Sequence, residues 1–298
     1  MEKFPLAINE THKAELETYY SSTKQEKEKI FNKHTNIAPQ FLYKFKGSPF
    51  TKDNKDDIEI EKERLREILI DGKLFLSSCE QFNDPFDVYP TYKKNYTDEE
   101  YRNNSIRIFK THTPHITITE ELIKDCVANY KNGGLQKVID KVNADLKTLG
   151  IFCFTSEHEN ILMWSHYAGS HTGICIRFNL LNQLELAQST YRVNYTKQRP
   201  VTNLLKKQTF VDYENTILTK SYEWRYENEW RCTNRIHNLK KIPLNSDVID
   251  EVLIGAKATT DTIEFIHQIN EERKSIKLPE FKITLTMMHD TEFKIIPK

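Results

Sequence analysis

Two hydrophobic periodicities are interleaved irregularly along this chain, and that irregularity limits the architectures open to it. Short apolar or period-2 runs, the signature of strands, occur at Phe41–Phe45, Leu74–Ser77, Ile151–Phe154, Ile174–Phe178, Tyr191–Tyr195, Tyr226–Thr233, Glu251–Ile254 and Phe281–Met287. Helical spacing runs from Asp56 to Asp71, through Leu65, Ile68 and Leu69, and from Leu135 to Leu146, through Val138, Ile139 and Val142. Further helices are expected at Ile161–Ala168, 203–219 and 260–275, with one or two more over 95–130 that Gly133 and Gly134 break. Strands and helices do not alternate as a doubly wound βαβ sheet requires. The pattern therefore predicts an α+β domain with a mixed or antiparallel sheet flanked by helices. In the last strand Phe281, Ile283, Leu285 and Met287 fall on one face and Lys282, Thr284 and Thr286 on the other.

No repeat, low-complexity tract or Pro/Gly/Ser linker divides the chain. Residues 41–298 read as one domain with a helical insertion near 95–147, preceded by a charged helical extension over 1–40. There are eight glycines, and neither GxGxxG nor GxxxxGK[ST] occurs, which excludes the common phosphate-cradling loops. Lys+Arg and Asp+Glu are both 43, so the net charge is 0 and no global field draws the chain to nucleic acid or anionic lipid. The run Lys197–Arg199 with Lys206 and Lys207 is the best local candidate for such a contact; otherwise it is a solvated face. The five cysteines are scattered and never paired as CxxC, and they read as buried free thiols. The first residues hold no signal-peptide core, and no window approaches the ~18 apolar residues of a membrane span. A cytoplasmic location without membrane contact is expected.

Candidate chemistry concentrates in two segments. Thr155–Gly173 carries three of the ten histidines, His158, His166 and His171, with Trp164, Tyr167 and several hydroxyls. On its short helix Met163 stacks with Tyr167 and Leu162 with His166 at i, i+4, and Ser156 or Asn160 is placed to cap it. Rings at a helix mouth suit a flat heterocycle such as nicotinamide or a base. Alternatively, Trp164 and Tyr167 are core packing, with His166 hydrogen-bonded inside. The histidines, with Glu157 and Glu159, include metal-ligand types, but their spacing matches no zinc pattern and HExxH is absent, so no metal is expected. The second segment, Tyr226–Arg231, reads as a strand with Glu227, Glu229 and Arg231 on one face. Two carboxylates beside an arginine could orient a ribose hydroxyl, stabilise a cationic transition state or supply a base. They could equally form a salt-bridge ladder on a solvated face. Phe82–Asp87 (FNDPFD) reads as a rigid structural corner, with Asp84 or Asp87 as alternative catalytic candidates. Tyr43 and Lys44 on the first strand could present a phosphate contact, or Lys44 is an ordinary exposed strand residue.

Four stretches, LYKF, FLSSCEQFNDPFD, CFTS…ILMWSHYAGSHTGICIRF and W-x-Y-E-N-E-W-R, resemble a large bacterial domain-of-unknown-function family over about residues 41–256. The order of pieces is also similar to that of the NAD-dependent ADP-ribosyltransferases, particularly the poly(ADP-ribose) polymerase-like branch. That branch's "IL-x-x-G-L" passage resembles Ile68–Leu74, and its "G-I-x-F" strand resembles Gly150–Phe154, here followed by Ser156 and Trp164–Tyr167. Its "Y-N-E-Y" or "E-x-E" strand with the catalytic glutamate resembles Tyr226–Trp230. Tyr43-Lys44 departs from the usual His-Gly or Arg, and Gly72–Gly150 is longer than usual. The resemblance implies a split sheet that binds NAD, as substrate, between its halves. Glu229 would hydrogen-bond the nicotinamide ribose, and Glu227 would orient or activate the acceptor. Trp164 and Tyr167 would stack the nicotinamide, with His166, Ser156, Lys44, Tyr43 and Arg231 as further NAD contacts. It further implies a toxin or phage-defence effector acting on protein, RNA or DNA, with an antitoxin or immunity protein as partner. The alternative is a non-catalytic module that grips nucleic acid or a partner protein, with both glutamates on an exposed salt-bridged face.

Overall fold

In a computed structural model of the chain, placement is described for residues 38–207, 210–234 and 240–298, with Ala14, Thr18 and Ser21–Thr23. The extension expected over 1–40 lies, apart from these positions, outside the described residues. In chain order the elements are β1 (Phe41–Lys46), α1 (Lys55–Leu69), β2 (Lys73–Phe75), β3 (Thr91–Tyr92), α2 (Asp98–His112), α3 (Glu120–Asn129), α4 (Leu135–Thr148), β4 (Gly150–Thr155), α5 (Ile161–Tyr167) and β5 (Ile174–Asn179). There follow α6 (Leu184–Gln188), β6 (Thr190–Arg192), β7 (Asn194–Thr196), β8 (Val201–Thr202), α7 (Phe210–Ile217), β9 (Thr219–Ser221), β10 (Glu229–Asn234), β11 (Lys241–Pro243), β12 (Ile249–Ile254), α8 (Thr260–Ser275), β13 (Lys282–Met288) and β14 (Ile295–Pro297). These elements make two compact units. The first gathers the described residues up to Ser77 with Gly150–Val193 and Glu223–Lys298, and the second gathers Ser78–Leu149 and Asn194–Tyr222. The helices near 95–147, expected as an insertion, belong to the second unit.

The first unit is built on an eight-stranded mixed sheet of order β14-β13-β12-β5-β1-β4-β10-β6, parallel at β12–β13 and antiparallel at the other pairs. Its centre is thinly joined. β1 pairs with β5 from Phe41 to Lys46 but with β4 at Tyr43–Thr155 alone. Lys44 Nζ donates to Cys153 O at 2.9 Å and lies 4.8 Å from the Phe152 ring centroid. A side-chain donor thus satisfies a β4 carbonyl that the β1 backbone leaves to it.

Cross-strand partners share a face of the sheet. One face carries Leu42, Phe152, Phe154, Ile176, Phe178, Trp230 and Val252, which α1 covers with Leu65, Ile68 and Leu69 and α8 with Phe265, Ile266 and Ile269. Each such side chain, once fully buried, stabilises the fold by about 1.5–3 kcal/mol. The other face carries Tyr43, Phe45, Cys175 and Leu253, on which α5 lays Met163 and Trp164. A row of registered partners, Glu229, Thr155, Tyr43, Arg177 and Glu251, crosses that second face.

Two strand expectations need correction. In β13, Thr284 and Thr286 are buried, whereas Leu285 and Met287 are 40% and 37% exposed. The threonines can face inward because Thr284 Oγ1 donates to Glu251 Oε1 at 2.5 Å and Thr286 Oγ1 to Ile254 O at 2.7 Å. Tyr226–Asn228 is not extended. Tyr222–Glu227 forms a 3-10 helix, Asn228 turns the chain at φ 41°, and the strand begins at Glu229. Asparagine is among the residues that tolerate this left-handed turn best. Thr155 Oγ1 donates to Glu227 O at 2.6 Å and Ser156 N to Asn228 O at 3.2 Å, which pins the turn to the end of β4.

In the second unit α2 starts at a capping box between Thr97 and Glu100, and Thr119 caps α3. β3 pairs with β8 and β7 with β9, each in parallel. No helix among the described residues is long and apolar enough to cross a membrane.

Gly173, just before β5, lies against the end of β1, where a Cβ would run into Lys46 O and lie 2.8 Å from Gly47 Cα. Gly173→Ala should destabilise the protein by about 1–3 kcal/mol, as overpacking does. Gly47→Ala, whose added Cβ would meet Gly169 N at 3.8 Å, should stay within about 0.5 kcal/mol of wild type. Urea titration of both variants checks the contrast.

Candidate functional site

The Asn160 side chain starts α5. Its Oδ1 accepts from Leu162 N at 2.9 Å, and its Nδ2 donates to Tyr226 O at 3.0 Å, tying the helix to the 3-10 turn. The expected cap is therefore Asn160 and not Ser156. Met163 and Trp164 point to the sheet, while Tyr167 and the exposed His166 face the turn. Tyr167 donates its hydroxyl to Glu227 Oε1 in a very short hydrogen bond, and His166 Nδ1 lies 3.1 Å from Tyr226 Oη. Helix and turn are thus joined by two phenols, an imidazole and a carboxylate.

Trp164 is fully buried, its indole N–H donates to His158 O at 2.7 Å, and Phe45 meets its ring edge-on at 5.0 Å. It packs beneath α5 and presents no face on which a nicotinamide could stack, which corrects the stacking role expected of it. The Tyr43 ring stacks on His158 at 4.7 Å. Burial lowers the His158 pKa, favouring the neutral imidazole. Burial also pushes the Tyr43 hydroxyl up to about 12, with the Arg177 charge opposing. Lys44 is paired with Ile176 on the opposite face of the sheet from Tyr43. Its ammonium serves the Cys153 carbonyl.

Glu227 and Glu229 are each 3% exposed, so neither belongs to a solvated salt-bridge ladder. They are held in different ways. The Arg231 guanidinium, itself fully buried, grips Glu229 through Nε at 2.7 Å and Nη2 at 3.1 Å. This fork compensates a carboxylate within the sheet. Glu227 accepts from the Tyr167 hydroxyl and sits at the end of the 3-10 turn that Thr155 anchors.

Of the candidates, Tyr167, His166, Glu227, Glu229 and Arg231 thus gather around the end of β4 and the start of β10, with Tyr43 in the same cross-strand row. Ser156 contributes its backbone there. Other participants were given no role of their own in the sequence. Thr155 opens the first candidate segment just after the apolar strand, Tyr226 was treated as a strand residue, and Arg177 with its partners Asp250 and Glu251 lies outside both segments. Only the F-T-S ending of β4, hydroxyls after an apolar strand, hinted at Thr155. Among the described residues no three His, Cys, Asp or Glu side chains form a group that could hold a metal ion.

Two predictions arise from these pairings. Arg231→Met leaves the Glu229 carboxylate buried without its guanidinium and should lower stability by about 3–5 kcal/mol; adding Glu229→Leu should recover most of that loss in urea titrations. For Tyr43, a folded pKa near 12 against 10.0 in the unfolded chain means that the native state holds the proton more tightly. Its stabilisation is therefore complete below pH 10 and is lost as pH rises through 12. Tyr43→Phe should remove a loss on the order of 2–3 kcal/mol from the alkaline limb of the stability profile.

Residues 163–232 match the model of a family described as a protein of unknown function (DUF2971). No curated protein and no solved structure matches the chain. The matched stretch runs from α5 into β10, so the family similarity covers both Trp164–Tyr167 and Glu227–Arg231, the two segments that face each other in the site.

Proposed function

We propose that the first unit binds NAD as a substrate and transfers its ADP-ribose moiety to an acceptor nucleophile, in the manner of the ADP-ribosyltransferases that the order of its motifs resembles. The observation that carries this reading is the junction of the sheet. β1 and β4 meet at Tyr43–Thr155 alone, and polar groups from β1, β4, α5 and the turn before β10 converge beside that pair. The resemblance implies a split sheet with its catalytic glutamate on a strand, and β10, which pairs with β4 beside that junction, begins at Glu229.

Glu227 is assigned the carboxylate role beside the reacting ribose. As the bond between the nicotinamide nitrogen and the ribose C1′ breaks, its electron pair leaves with nicotinamide and positive charge develops on the ring. A carboxylate placed beside that carbon stabilises the developing cation. Glu229, already gripped by Arg231, is assigned a positioning role within β10, which reverses the order of the two glutamates expected from motif position. His166 and Tyr226, hydrogen-bonded to each other at the exposed edge, are the groups available to accept the proton the acceptor releases as its bond to C1′ forms.

The test is calorimetric titration of NAD into the full chain, with nicotinamide release followed alongside. Saturable binding and slow release are expected. Glu227→Gln should reduce release by about 10²–10³-fold with an unchanged thermal midpoint, the range seen when one electrostatic contact to a transition state is removed. Absence of NAD binding in the millimolar range, or full turnover in Glu227→Gln, would sink the assignment.

A further inference from the structure

We propose that the second unit carries a binding site for single-stranded nucleic acid, in a pocket of about 220 Å³ built from the end of the FNDPFD corner, the β7–β8 connection and β9. This site lies wholly within that unit and does not rest on the reading of the first one. Its lining residues include Phe86, Tyr89, Lys197, Arg199 and Lys220 and no carboxylate.

Its cations and rings are placed in relation to each other. The Arg199 guanidinium lies 5.5 Å from the ring centroids of both Phe86 and Tyr89, and it donates to Tyr89 O. Lys197 Nζ lies 5.6 Å from the Tyr222 centroid. Neither Lys197 nor Arg199 has an ion-pair partner among the described residues, and both are exposed. The third cation is different. Lys220 lines the pocket but its side chain is 5% exposed, 3.7 Å from an equally buried Asp87 carboxylate.

The FNDPFD corner explains how this is held. Asp84 Oδ1 accepts from Phe86 N at 2.9 Å, which folds the corner tightly. Asp87 then points inward to Lys220, while Phe86 remains 61% exposed and Tyr89, just beyond, 57% exposed. Between them Val88 adopts φ 52°, a left-handed conformation that a β-branched residue takes only when its surroundings force it. Thus one turn buries both its carboxylates and presents two rings.

Exposed rings beside uncompensated cations match a ligand that offers π-faces and anionic charge in alternation. Single-stranded nucleic acid is that ligand, stacking bases on aromatic side chains while its phosphates track cations. The pocket is smaller than the roughly 300–1,000 Å³ of sites that enclose a whole drug-sized molecule, so it seats one nucleotide of a strand that continues over the surface. Duplex is disfavoured because its bases are stacked on one another. Since the chain's net charge is 0, the attraction is local to this pocket.

The test is fluorescence anisotropy with the full chain and a short fluorescein-labelled oligothymidylate, against an abasic phosphodiester of equal length and the matching duplex. Saturable binding of the single strand, weakening as salt rises, is expected. Lys197→Glu with Arg199→Glu should raise Kd at least about tenfold, and Phe86→Ala roughly tenfold, with circular dichroism spectra unchanged. Failure to bind the single strand, equal affinity for the abasic strand or the duplex, or unaltered affinity in the charge-reversed variant would each overturn the proposal. A null result with NAD would leave these outcomes untouched, so the two proposals fail separately.

Discussion

The backbone pairing of Tyr43 with Thr155 holds the two parts of the first unit's sheet in register, and the arrangement of its polar groups depends on it. Thr155 faces Tyr43 on one side and Glu229 on the other, donates to Glu227 O, and accepts from Glu157 N at 3.0 Å. One residue therefore sets the height of both glutamates and of the chain entering α5. A slip of one residue would send Tyr43 and Arg177 to the apolar face and Leu42 and Phe178 to the polar one. Burial of the apolar row against α1 and α8 makes such a slip prohibitive, so the large core fixes the geometry of the small polar row.

Along that row both carboxylates are compensated by cations. Glu229 is compensated by Arg231, and Glu251 by Arg177, Lys282 and a threonine hydroxyl. Glu227 is oriented by a phenol from α5. A buried guanidinium fork contributes order more than stability, because desolvating both partners offsets most of their attraction. Its use beside β10 is then best understood as rigidity. The start of that strand cannot rotate without stranding a charge, and the 3-10 turn carrying Glu227 inherits a fixed base.

Much of this architecture was legible in the chain itself, because it rests on local periodicity. The 3.6-residue spacing of Leu65, Ile68 and Leu69 and the apolar runs at Ile151–Phe154 and Ile174–Phe178 each lead to the element observed. What was not legible depends on partners distant in sequence. Thr284 and Thr286 read as a solvent face, since nothing nearby announces the Glu251 carboxylate and Ile254 carbonyl that receive their hydroxyls. Tyr226 and Trp224 have strand-forming rings, yet Thr155 and Ser156, some seventy residues earlier, draw their segment into a turn. Trp164 looked like a ligand platform because its spacing on α5 is compatible with either face, and only Phe45 across the sheet decides between them. The gathering of 78–149 with 194–222 into a second unit is likewise a long-range event with no local marker.

The FNDPFD corner shows how unfavourable terms can collect at one place. Asp84 Oδ2 is buried without a hydrogen-bond partner among the described residues, Asp87 and Lys220 are both withdrawn from water, and Val88 is held in the left-handed region. An unsatisfied buried polar atom costs about 1–3 kcal/mol, and a residue held in a sparsely populated backbone region a similar amount. A corner whose sole task was to reverse the chain would need none of these, since Asn-Gly or Asp-Gly turns do so without strain. Replacing the buried Asp87–Lys220 pair by apolar side chains of similar volume would be neutral or favourable for folding alone. The corner is therefore better explained by what it presents than by what it stabilises. It turns the carboxylates of Asp84 and Asp87 inward and the rings of Phe86 and Tyr89 outward within six residues.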